Sequence, residues 1–142
     1  MAGPNAANVP SDAYLLLDRR TKNGTQAWMT VMRVHFFQTR SGNESVREWL
    51  RELPAEQRRA IGEDLMVVQY RWPLGMPLVR KMGPKLWELR SSIPDGIARL
   101  FFTVWDEHIV ALHGFVKKGQ KTPDYELETA QRRLAEFLRN IP

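Results

Sequence analysis

The chain has 142 residues, 43% hydrophobic and 26% charged, with a formal net charge of +5, a length and balance that suit one soluble globular domain with a single core. It contains no cysteine, which excludes a disulfide framework, a thiolate metal site and a cysteine nucleophile, and fits a reducing cytoplasm. No apolar run approaches the roughly 20 residues that span a bilayer, and Met1 to Pro10 lacks the basic and apolar regions of a secretory signal, so a cytoplasmic protein with no membrane partner is expected.

Residues 1–28 combine Pro4, Pro10, Asn5, Asn8, Asn23 and Gly24 with a single apolar cluster, Tyr14 to Leu17. They read as an accessory arm that the fold does not need, and residues 29–142 as the domain. From Val31 to Phe37, Met32, Val34 and Phe36 alternate with Arg33 and His35, the period of a half-buried strand. Val46, Trp49, Leu50 and Leu53 then recur at helical spacing, with Ser41-x-x-Glu44 or Ser45-x-x-Glu48 as a candidate capping box. Pro54 breaks that helix and suits the first turn of the next, whose Ile61, Leu65, Val68 and Trp72 line one face until Pro73. These two helices form a predicted hairpin.

After a Pro and Gly loop, three strands are predicted over Lys85 to Ser91, Ile97 to Trp105 and Ile109 to Lys117. Pro94-Asp95-Gly96 and Asp106-Glu107 supply tight turns, so consecutive antiparallel pairing is the economical arrangement. Thr122 offers an N-cap before Pro123, and Leu127, Ala130, Leu134 and Leu138 form the stripe of a last helix. The predicted fold class is α+β, with an N-terminal strand and a helical hairpin packed on a twisted antiparallel sheet and a helix at the C-terminus.

The charge is unevenly placed. Between Leu78 and Thr122, eight basic residues face four acids, a surface suited to a polyanion whose binding would depend on salt. Strand alternation puts Trp87, Leu89, Leu100, Phe102, Val104, Val110, Leu112 and Val116 on one side of the sheet. Arg90, Arg99, His113 and Lys117 fall on the other, as an open cationic cleft from three adjacent strands with Glu88 as its nearest acid.

The runs Leu86-Trp87-Glu88-Leu89-Arg90, Arg99-Leu100-Phe101-Phe102 and His113-Gly114-Phe115-Val116-Lys117-Lys118-Gly119-Gln120-Lys121-Thr122-Pro123 resemble the HigB-like branch of the RelE/ParE toxin superfamily, over roughly Val31 to Leu138. The resemblance implies a RelE-like fold and ribosome-dependent, metal-independent cleavage of messenger RNA. It also implies a cognate antitoxin with a helix-turn-helix DNA-binding domain, expected to meet the cleft with an apolar or acidic segment or to displace the last helix.

Cutting RNA without a metal needs the ribose 2′-OH deprotonated, the charge on phosphorus stabilised and the 5′-oxygen protonated, and fixed Arg and Lys donors suit the middle task. Arg99 matches the family's phosphate-contacting Arg and is the first catalytic candidate, expected at the surface. Arg90 matches as well, with an ion pair to Glu88 as its alternative. Lys117 and Lys118 end a strand, where alternation sends one of them into the cleft. Lys81 and Lys85 flank Gly83-Pro84 on the loop entering the sheet, where clustered charge can depress a lysine pKa toward acid–base work. Lys85 and Lys118 join the catalytic candidates; Lys81, Lys117 and Lys121 join those that bind RNA.

His113 is placed with the RNA-binding group, with a packing role as its alternative. Tyr125 resembles a Tyr that RelE-type toxins use against RNA, one that the HigB-like branch often lacks. Three scattered His without paired carboxylates give no expected metal site, and no cofactor motif is present. Two other functions remain open at this level: a ParE-like inhibitor of DNA gyrase on the same fold, and a nucleic-acid-binding domain without catalysis.

Overall fold

The computed structural model describes residues 31–117, 119 and 121–141. The expected arm over residues 1–28 and the candidate Lys118 lie outside the described residues. Among the described residues, five strands form one sheet: β1 (Arg33–Phe36), β2 (Val79–Gly83), β3 (Leu86–Ile93), β4 (Gly96–Trp105) and β5 (His108–Lys117). Three helices accompany them: α1 (Ser45–Glu52), α2 (Ala55–Arg71) and α3 (Asp124–Asn140). The strand order is β1-β5-β4-β3-β2. This is the α+β, RelE-like architecture expected from the sequence, with the helical hairpin on one side of the sheet and the C-terminal helix on the other.

The hairpin turns follow the chemistry of their residues. Ile93 pairs with Gly96 and Trp105 with His108, leaving two-residue connections. Asp95, Asp106 and Glu107 all take positive φ there, the backbone that twisted two-residue hairpins need and that Asp tolerates better than branched residues do. The helical hairpin buries Val46, Leu50, Ile61, Leu65 and Val68 against Leu89, Leu100, Phe102, Ile109 and Ala111 of the sheet. On the opposite side, Ala130 and Leu134 of α3 pack with Phe101, Val110, Leu112 and Phe115.

Several local expectations are corrected. The sheet is antiparallel through its meander, but β1 pairs with β5 in parallel, because the chain passes through both α1 and α2 before returning to the sheet. The loop expected to enter the sheet contains a strand: β2 pairs with β3, Val79 opposite Leu89 and Arg80 opposite Glu88. No capping box forms, since α1 begins at Ser45 after Glu44 without a side-chain cap, and Glu44 pairs with Arg47 instead. Pro123, rather than Thr122, precedes α3, because the Thr122 hydroxyl is drawn away to Glu88.

The largest correction concerns β5. Phe101 pairs with His113 but Phe102 pairs with Ala111, so Leu112 has no partner in the ladder. A one-residue bulge of this kind reverses the facing of everything before it. Val110 and Leu112 therefore face α3, and Ile109 and Ala111 take their expected place beneath the hairpin.

Candidate nucleic-acid interface

The face that carries α3 has two ends of different chemistry. Beneath the helix it is apolar, through Leu86, Phe101, Leu112 and Phe115. Beyond the N-terminal end of α3, cross-strand pairing brings Arg80 opposite Glu88 and Arg90 opposite Arg99, and directly opposed residues share a face. Lys117 stands opposite Ile97 at the end of β5 and feels the charges of Arg99, Glu88, Arg90 and Arg80. Four cations from four adjacent strands thus surround one carboxylate.

At the centre of this set lies a buried ion pair. Arg99 Nη1 donates to Glu88 Oε1 at 2.7 Å, with Glu88 0% and Arg99 2% exposed. The Thr122 hydroxyl donates to the other carboxylate oxygen at 3.3 Å, tying the segment between β5 and α3 to the pair. Arg99 is therefore no exposed strand residue, as alternation alone implied. Glu88 beside it supplies the opposite charge that makes burial of a guanidinium tolerable, and the Arg99 Nε is left buried without a hydrogen-bond partner.

Lys117 is 5% exposed. Burial, with Arg99 next, pushes its pKa below the ordinary lysine value, against the opposing pull of Glu88. That leaves a lysine nearer than most to exchanging a proton. Arg90 pairs with Arg99, not Glu88, in the ladder; its Nη1 reaches the Met76 sulfur at 3.7 Å and its Nε is buried without a partner. The ion pair with Glu88 weighed as the alternative for Arg90 is thus made by Arg99 instead.

The other sequence candidates are dispersed. Lys81 pairs with Trp87 in the ladder, and its Nζ lies 5.5 Å from that ring; Trp87 packs with Trp72 and Phe102, so Lys81 occupies the opposite face from Arg99. Lys85 is exposed in the β2–β3 turn at φ 59°. Lys121 is exposed beside Thr122, and Tyr125 is 66% exposed in the first turn of α3.

His113 sits apart from that charged set, with Arg133 Nη1 3.4 Å from its Nδ1. Its Nε2 meets Glu126 Oε1 at 2.5 Å, and its ring stacks on Phe101 and Phe115. Burial lowers its pKa, outweighing the opposing pull of Glu126. The structure gives His113 the packing environment weighed as its alternative, and its place in the expected cleft is corrected accordingly.

Arg80 was not singled out in the sequence because its segment read as loop. The signal was present in the alternation of Val79 and Lys81 with Arg80 and Met82, short as it is. Chemically, the charged end can hold phosphate oxygens through Arg80, Arg90 and Lys117, with the buried Arg99 adding to the local field. No group of three or more His, Cys, Asp or Glu side chains that could hold a metal occurs among the described residues. No helix there is long and apolar enough to cross a membrane.

No curated protein matches the chain. The family model for Phage derived protein Gp49-like (DUF891) matches residues 48–135, a span that contains β2 to β5, most of α1 and α3, and every member of the charged set. Because this match covers more than half of the sequence, the chain belongs to the Phage derived protein Gp49-like (DUF891) family.

Proposed function

We propose that the chain is the toxin of a type II toxin–antitoxin pair, a metal-independent endoribonuclease that cuts messenger RNA on the ribosome. The observation that carries this reading is the assembly of Arg80, Arg90, Arg99 and Lys117 around Glu88 at one end of one sheet face. The resemblance to HigB-like toxins and membership of a phage-derived family agree with it. In the reaction, the ribose 2′-OH gives up its proton to water as its oxygen bonds to the adjacent phosphorus, the bond to the 5′-oxygen breaks, and a proton passes to that leaving oxygen. Arg80 and Arg90 hold the phosphate, Arg99 supports the developing charge from within, and Lys117, with its lowered pKa, is the proton donor. The partner is an antitoxin with a helix-turn-helix domain, whose acidic segment covers the charged end.

A second reading has its own support. Because Glu88 seals Arg99 from solvent, the same cations would bind RNA without any step of bond breaking. Expression without antitoxin, followed by mapping of messenger 5′ ends and a gyrase supercoiling assay, separates the cases. New ends that depend on translation are expected. RNA binding without new ends would assign the non-catalytic role, and inhibited supercoiling without cleavage would assign a ParE-like one.

A further inference from the structure

The charged end of the sheet adjoins a cleft with the opposite polarity. It has a volume of about 480 Å³ and runs between α2 and the β3–β4 end of the sheet. Arg90 belongs both to this cleft and to the cation set, so the two sites are one guanidinium apart. Glu63 and Asp64 of α2 line the cleft, and Asp64 is positioned by the Ser91 hydroxyl, which donates to its Oδ2 at 2.5 Å. Pro77, Leu78 and Ile97 give it apolar walls.

Two carboxylates beside a phosphate-binding surface are a poor place for a phosphate. They are a good place for something with paired N–H donors attached to a phosphate. Resting on the reading of this chain as an RNA-binding protein, we propose that the cleft receives a guanine base of the bound RNA. Guanine alone among the four bases presents adjacent ring and exocyclic N–H groups to a carboxylate, together with O6 and N7 acceptors for a guanidinium. Adenine and cytosine lack the ring donor, and uracil flanks its single donor with two carbonyls.

In this arrangement the flat ring lies between Pro77 and Ile97, and Glu63 or Asp64 accepts from N1–H and N2–H. Arg90 is half-buried at the cleft wall, and its Nη1 meets the weak acceptor sulfur of Met76 at 3.7 Å, so its outer donors can turn to the O6 and N7 of a base. The cleft volume falls in the range of sites that enclose small planar ligands, roughly 300 to 1,000 Å³. Sequence choice at the cut would then come from α2, an element that carries none of the cations.

The test uses the full chain and single-stranded uridine oligonucleotides with one central guanine or one central adenine, followed by fluorescence anisotropy. A good bidentate base contact supports discrimination of about tenfold or more, and the wild type should prefer guanine by that factor. Glu63→Gln with Asp64→Asn should bring the preference close to unity while affinity for all-uridine RNA holds. Ile97→Trp, which narrows the cleft and keeps both carboxylates, should do the same, so the result does not hang on one variant folding.

Equal wild-type affinity for the guanine and adenine oligonucleotides overturns the inference and leaves the RNA-binding reading standing. Failure to bind any oligonucleotide overturns both. Persistence of the guanine preference in both variants moves base reading elsewhere. Saturable binding of an arginine-bearing peptide, without guanine preference, would give the cleft to a protein partner.

Discussion

The two faces of the sheet are built from alternate residues of the same strands, yet they have come to hold different things. On the hairpin side, Leu89, Leu100, Phe102 and Ile109 are buried beneath α1 and α2. On the other side, Phe101 and Phe115 are closed over by α3, while Arg99, their neighbour on the same strand face, lies past the helix and keeps company with Glu88 and Lys117. Alternation decides which side a residue takes, but where the covering helix begins decides whether that side becomes core or charge. A roof that stops short creates a place where cations are desolvated without being surrounded by hydrocarbon.

If both faces are core where they are roofed, Phe101→Ala and Phe102→Ala should be equally damaging. Both rings are 0% exposed, and loss of a buried Phe costs about 3 to 5 kcal/mol. Urea denaturation measures this; a much smaller loss for Phe101→Ala would mean that α3 is only loosely seated. The charged end breaks in a different way. Glu88→Ala leaves Arg99 buried without its carboxylate and should cost about 3 to 5 kcal/mol, whereas Glu88→Leu with Arg99→Met should recover most of it. The double variant is expected to bind RNA nearly as well as wild type, since Arg99 is sealed; a collapse of binding at restored stability would make Arg99 a direct phosphate contact.

Close packing on the hairpin side is sharpest at Gly114, where an added Cβ would lie 2.4 Å from the Trp49 ring. Gly114→Ala should destabilise by about 1 to 3 kcal/mol, read as a lowered thermal midpoint, and Trp49→Leu in the same chain should relieve part of it. A smaller effect tests the α3 side. Burial lowers the His113 pKa below its ordinary 6.5, so as pH falls the unfolded chain takes up that proton before the folded one does. Stability should therefore decline below about pH 6.5, and His113→Gln should flatten the slope. His35, lowered by burial and by the charge of nearby His108, contributes its own share, so His35→Gln is the matched control.

The smallest stability effect belongs to the exposed Arg80. Arg80→Ala should change stability by no more than about 0.5 kcal/mol, yet weaken RNA binding and reduce its salt slope by about one. An unchanged salt slope would remove Arg80 from the interface.

These contrasts show where the sequence was readable and where it was not. The apolar spacing of α1 and α3, and the Asp-containing turns, carried much of the architecture. β2 was hidden because Gly75, Pro77, Gly83 and Pro84 frame it with turn signals, and its pairing with β3, a tertiary fact, outweighs them. The facing of Val110 and Leu112 was lost to a bulge that no residue of β5 announces. For the site, alternation correctly joined Arg90, Arg99 and Lys117, but periodicity has no term for what lies above a face. The burial of Arg99, the desertion of Thr122 from its cap and the recruitment of His113 by α3 all come from elements distant in sequence.

Arg133 gives the bulge at Leu112 a further meaning. Its Nη1 donates to the Leu112 carbonyl at 2.8 Å, and its Nη2 reaches the Ser45 hydroxyl at 3.5 Å at the start of α1. The Leu112 carbonyl thus finds this hydrogen bond 21 residues further along the chain, in a helix that must first dock, and the next residues, His113 and Gly114, are claimed by α3 and α1 in turn. A β5 that slid by one position would present the wrong residue to every one of these partners at once. The irregularity therefore works as a key cut into an otherwise repetitive strand, one whose partners on α3 and α1 all fit this single register.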